Sequence, residues 1–131
     1  MSNEVLLPGG LRLRVHLGSE DTGGAFCLVE DHPPEGWSLP PHLHLNESET
    51  VYVLEGEFES VVDGERRILG PCDRVHIPAG VVHSGGGHGR RLLVFAPAGM
   101  ERFFLELADG NEPPPALALR YGWRFVASQP E

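Results

Sequence analysis

His42 and His44 stand two residues apart, Glu49 follows five positions on, and His83 comes after a Pro78-Ala79-Gly80 turn. Three imidazoles and one carboxylate suit a divalent transition metal better than calcium or magnesium, which prefer all-oxygen shells. The i, i+2 spacing of the first pair carries geometric information. On a strand it aims both rings at one face, whereas on a helix they diverge by about half a turn. Leu43 and Leu45 alternate to the opposite face. Histidines turned into an apolar interior are costly unless their nitrogens find partners, and a metal supplies one partner per ring. A His-x-His pair alone is weak evidence. With Glu49 and His83 added, a merely solvated polar face would need four coincident spacings.

The elements that must position these residues read as strands. Seventeen glycines and twelve prolines break the chain into short segments, which favours an all-β class. Residues 11–17 alternate strictly, with Leu11, Leu13, Val15 and Leu17 on one face and Arg12, Arg14 and His16 on the other. A strand covered on both sides is expected over 24–30. Strands over 50–54 and 57–62 are expected to meet at a tight Glu55-Gly56 turn, and Asp63-Gly64 is a type I′ hairpin signal. Strands over 65–69, 74–77 and 91–95 complete a run of sandwich or barrel spacing. Beyond it, Met100, Phe103, Phe104 and Leu107 fall at helical intervals, predicting an amphipathic helix over 100–108 laid on the strands. A shorter helix over 116–121 is closed by Gly122, and 123–127 extends as a tail.

Composition removes several classes of function. At 131 residues the chain fits one domain, 1–131, with strands to about 98 and a helical segment and tail from about 99. A net charge of -9 argues against nucleic acid and against an anionic membrane surface as partners. No apolar run approaches the roughly 20 residues that span a bilayer. Residues 1–10 lack the basic and apolar regions of a signal peptide, and Cys27 and Cys72 are too few for a disulfide framework, so a reducing cytoplasm is expected. The chain has no lysine, which excludes Schiff-base chemistry.

The stretch Gly36-x5-His42-x-His44-x4-Glu49-x6-Gly56 resembles the first cupin motif at every defining position, and Pro78-Ala-Gly80-Val-Val-His83 resembles the core of the second. Tyr52-Val-Leu-Glu-Gly-Glu57 and Pro97-Ala-Gly-Met-Glu-Arg-Phe-Phe104 are similar to the small bacterial single-domain cupins described as quercetin-dioxygenase-like, and the likeness spans residues 11–108. It implies a double-stranded β-helix, a jelly-roll barrel closed at one end, followed by short C-terminal helices. It also implies that His42, His44, Glu49 and His83 bind iron, manganese, nickel, copper or zinc, that Glu49 accepts a proton from substrate, and that the chain is a homodimer. Two positions depart from the pattern: Cys72 stands where the second motif has glycine, and Gly87 where it has asparagine. Both are expected in turns, with Cys72 taking a positive φ or passing the turn to Gly70.

The remaining polar residues receive plainer readings. His16, His32, His76 and His88 are expected at the surface, Cys27 and Cys72 as small buried or turn residues, and Trp37 as packing near the barrel mouth. Arg66, Arg67, Arg90 and Arg91 are expected as solvated charges beside turns. Residues 11–17 and 24–30 are expected to offer an edge for a second subunit. Two functions remain open. One is a metal-dependent dioxygenase acting on a small hydroxylated or enolic compound; the other is a non-catalytic module that holds or senses a small ligand in the barrel.

Overall fold

The computed structural model of the chain describes residues 3–127; Met1, Ser2 and residues 128–131, included above in the N-terminal reading and the domain, lie outside it. Nine strands and three helices follow in the order β1 (Asn3–Leu6), β2 (Arg12–Leu17), α1 (Ser19–Thr22), β3 (Cys27–His32), β4 (Ser38–His44), β5 (Ser48–Val62), β6 (Glu65–Leu69), β7 (Arg74–Ile77), β8 (His83–Ala96), α2 (Met100–Asp109), α3 (Pro114–Arg120) and β9 (Trp123–Phe125). All strand pairs are antiparallel.

Two long strands organise the barrel. β5 and β8 pair from Ser48 against Ala96 to Val62 against His83, with a bulge between Val53 and Glu55. Their halves serve different layers. Glu49–Tyr52 and Arg91–Phe95 join β7 and β3, and through β3 reach β2 and β1. Phe58–Val62 and His83–Gly86 instead join β6 and β4, and β4 carries β9. This is the jelly-roll architecture, two layers sharing strands that bend from one into the other.

The bend corrects two expectations. Glu55-Gly56 is not a turn between strands but an irregular point inside β5, and Gly85–Gly89 is not a loop but the middle of β8. Gly56, Gly87 and Gly89 all have positive φ there. A Cβ on Gly56 would stand 2.0 Å from the His88 carbonyl oxygen, and one on Gly89 2.1 Å from that of Glu55. Such backbone approach admits glycine alone, and this explains why the two segments read as punctuation in the sequence. Gly87 at the second departure from the motif therefore lies within a strand, whereas Cys72 does sit in a turn, at φ 71. The expected hairpin also forms, with Asp63 and Gly64 at φ 50 and 82.

The core follows the alternation. Leu13, Val29, Val51, Val53, Leu93 and Phe95 are buried along successive strands. The helix expected over 100–108 runs Met100–Asp109 and buries Met100, Phe103 and Phe104 against the barrel. The strand expected over 24–30 begins at Cys27, because α1 and two positive-φ glycines, Gly23 and Gly24, occupy the preceding stretch, and it buries only the Cys27, Val29 and Asp31 face rather than both. β2 and β3 are not edges: β1 covers β2, and β3 lies between β2 and β8. β1 lies outside the expected barrel limits, as does β9, which turns the expected tail into a strand hydrogen-bonded to β4. No helix among the described residues is long and apolar enough to cross a membrane.

Candidate metal centre

Four predicted residues converge at one end of the barrel. His42 and His44 close β4, Glu49 lies one residue into β5, and His83 opens β8. The antiparallel register places His42 opposite His83, and the alternation of β4 turns His42 and His44 inward while Leu45 is exposed. One ligand atom from each histidine lies within 4.8 Å of the others. Ring centroids are 4.2 Å apart for His42 and His83, 5.0 Å for His42 and His44, and 5.2 Å for His44 and His83. Glu49 Oε1 is 3.3 Å from His44 Nε2 and 3.4 Å from His83 Nε2.

The hydrogen bonds orient two of the rings. His42 Nδ1 donates to the Pro40 carbonyl at 2.8 Å, and His83 Nδ1 to that of Val81 at 2.9 Å. A carbonyl only accepts, so each Nδ1 carries the proton and each Nε2 presents its lone pair to the centre. His83 Nε2 is buried and has no hydrogen-bond partner among the described residues. Burial, helped by the nearby His83 and despite the Pro40 hydrogen bond, pushes His42 down to about 3 and so keeps it neutral. Burial also opposes a charged His83, but the Glu49 carboxylate outweighs it and raises the imidazole. Burial likewise disfavours an ionised Glu49, yet the His44 and His83 imidazoles 3.3 and 3.4 Å away hold its carboxyl far below the usual range. Buried lone pairs aimed at one point beside a buried carboxylate constitute a donor set that a transition-metal cation fits.

Residues the motif does not contain complete the surroundings. Trp123 of β9 stacks on His42 at 4.8 Å and meets His44 edge-on at 4.5 Å, while its indole N–H points at Met100 Sδ, 3.3 Å away. Glu47 is buried with one carboxylate oxygen unpartnered among the described residues; burial raises its pKa, with His44 opposing. An apolar-walled cavity of about 420 Å³ reaches from the histidines to Trp37, Asp31 and Arg91. Arg91 was expected in solvent. It is largely withdrawn from solvent instead, 12% exposed, with Nε and Nη2 donating to Asp31 at 3.0 and 2.6 Å. The signal was present in the sequence, because Arg91 shares its strand face with Leu93 and Phe95.

The plainer expectations divide. His76 is exposed and bonds Thr50 at 2.8 Å, away from the cavity. Arg66 and Arg67 are exposed, as expected, in pairs with Glu59 and Glu65. Cys27 is buried, its thiol pushed up to about 12 chiefly by that burial, and Cys72 is exposed.

A jelly-roll barrel with three inward histidines beside a carboxylate defines a class of small β-barrel protein with a metal-type centre. The model of the cupin domain matches residues 28–96, and the chain belongs to that family. It is 34% identical over 110 residues to quercetin 2,3-dioxygenase of Bacillus subtilis (strain 168), a match covering 82% of this chain and 33% of that protein. The chain thus spans about a third of the length of that curated relative. Among solved structures, the polyketide cyclase RemF from Streptomyces resistomycificus is 32% identical, with a TM-score of 0.58 over 74% of this chain and 72% of that one. KdgF from Halomonas sp. superposes with a TM-score of 0.68 at 20% identity, over 76% of this chain and 90% of that one, which shows a shared fold.

Proposed function

We propose that the protein binds a divalent transition metal through His42, His44, Glu49 and His83, and acts as a dioxygenase on a small hydroxylated or enolic compound held in the barrel. The buried, unpartnered Nε2 of His83, aimed at the other donors, carries the metal reading. The likeness to the Bacillus dioxygenase supports the reaction class. When bound, the ion would supply Lewis-acid and redox chemistry at positions the four donors leave open. The chain's own residues have separate tasks. Pro40 and Val81 hold two rings in the ligating tautomer. Trp123 walls the centre, and the apolar lining excludes water around the substrate. Glu49 accepts a substrate hydroxyl proton in this reading, exchanging for it the contacts to His44 and His83.

Elemental analysis of purified protein should find close to one transition-metal ion per chain, and His42→Ala or His83→Ala should abolish it. Oxygen uptake on a panel of flavonols and catechols should then be metal-dependent. Glu49→Gln should keep most of the metal and lose most of the turnover. Metal-loaded protein that consumes no oxygen with any substrate would remove the dioxygenase. A second reading then takes over: the chain binds such a compound, or rearranges it, without oxygen. RemF favours this, since its match covers nearly three quarters of both chains. Ligand-dependent thermal stabilisation with no oxygen consumed would support it.

The assembly belongs with this proposal. β1 pairs only with β2 among the described residues and exposes Leu6, so its outer ladder is an edge suited to a second copy. Light scattering should give twice the chain mass at micromolar concentration, and a monomer would refute the dimer.

A further inference from the structure

A second polar feature shares the cavity with the histidines. Asp31 and Arg91 face each other in register on β3 and β8, and both line the space that reaches the metal centre. Asp31 engages one edge of the guanidinium, Nε and Nη2. Nη1, with two more N–H donors, has no hydrogen-bond partner among the described residues. The guanidinium lies 4.7 Å from the Phe58 ring centroid and 5.0 Å from that of Trp37, so stacking and the fork to Asp31 hold it in one orientation. Arg91 lies four residues along β8 from Phe95, which is in register with Glu49. That separation is roughly 13 Å between Cα atoms at about 3.3 Å per residue. A fixed donor pair at the far end of an apolar cavity resembles the orienting polar group of a ligand site.

We propose that the Nη1 edge of Arg91, held by Asp31, is a second anchoring point that selects ligands carrying a carboxylate or another anionic oxygen at the end remote from the metal. The proposal rests on the metal reading for the near end of the ligand only. The balance of charge supports it. Glu49 and Asp31 each bring a negative charge, Arg91 one positive and a divalent ion two, leaving the cavity one positive charge for a monoanion to neutralise. Glu59 also lines the cavity but is paired with Arg66 at 2.6 Å. An ordinary structural ion pair would explain the contact between Asp31 and Arg91. That pair uses Nε and Nη2, and it leaves Nη1 as the edge open to a ligand in the cavity that Arg91 lines.

Calorimetric titration of zinc-loaded protein with dihydrocaffeate, a catechol on a propionate arm, and with its primary amide tests the anchor. The carboxylate should bind about tenfold or more tightly than the amide, as a charge-assisted hydrogen bond demands. The same ratio should survive chelation of the metal, although both affinities fall. Arg91→Gln alone would strand the buried Asp31, so the change is made together with the isosteric Asp31→Asn, and the pair removes both charges. That paired variant should keep its zinc and bring the ratio near one. Three results would overturn the anchor: a wild-type ratio near one, a ratio that vanishes on chelation, or a ratio retained by the paired variant. If the paired variant does not fold, the wild-type ratios with and without metal decide. Absence of zinc binding would refute the metal reading and still leave the chelated-protein ratio to judge Arg91.

Discussion

Cys72 holds a left-handed conformation, φ 71, in which the Cβ of an L-residue crowds its own backbone. The turn persists because Cys72 N–H donates to the Val53 carbonyl at 2.8 Å, and Asp73 closes it by accepting the Gly70 N–H at 2.8 Å. Gly70 does not take the strained conformation in its place. Cys72→Gly should therefore raise stability by about 1 kcal/mol, read as a higher denaturant midpoint at unchanged slope. A second residue-scale expectation concerns acid. Burial opposes ionisation of Glu30, but hydrogen bonds from His16, His32 and Arg90 hold its pKa down to about 2 from 4.5. A depressed carboxyl contributes stability above its unfolded value, and that contribution is lost as pH falls from about 4.5 through about 2. Glu30→Gln should flatten the acid limb of a stability-against-pH curve across that window and leave the alkaline limb unchanged.

Within elements, the join between β5 and β8 is where sequence reading and structure part. Strands were read over 50–54, 57–62 and 91–95, and all three fall within β5 and β8. Gly56 and the run Gly85–Gly89 nevertheless read as breaks, since isolated glycines look alike whether they form a turn or let two backbones touch. The difference lies in residues far apart in the chain: Gly56 meets His88, and Gly89 meets Glu55. Gly89→Ala should destabilise the protein by more than about 3 kcal/mol or prevent folding, because the clash is with backbone and the φ of 135 adds strain. Circular dichroism during denaturation will read this. His42, His44 and Glu49 were legible for the opposite reason, since their types and close spacing are local, and His83 was marked by the Pro78-Ala79-Gly80 turn before it. Trp123 was not, because its three-residue strand gives no periodicity to read.

For the whole molecule, a cation held by His42, His44, Glu49 and His83, as proposed, would tie β4, β5 and β8 together. A ligand bound only by the folded state adds about 2.7 kcal/mol of stability at a hundred times its dissociation constant. Adding zinc or nickel to chelator-treated protein should raise the melting temperature by several degrees, and His83→Ala should erase the rise. A wild-type melting curve indifferent to both ions would count against the centre. The inward face of Arg91 was legible from Leu93 and Phe95, but its pairing with Asp31 was not, because that depends on β3 and β8 lying side by side, sixty residues apart in the chain.

Trp123 lies beyond residue 96, where the shared domain ends, yet it forms the wall behind His42 and His44. Two proteins alike from 28 to 96 can for that reason offer the same imidazoles to quite different guests. A change of tail alone would re-paper the room and leave the imidazoles in place.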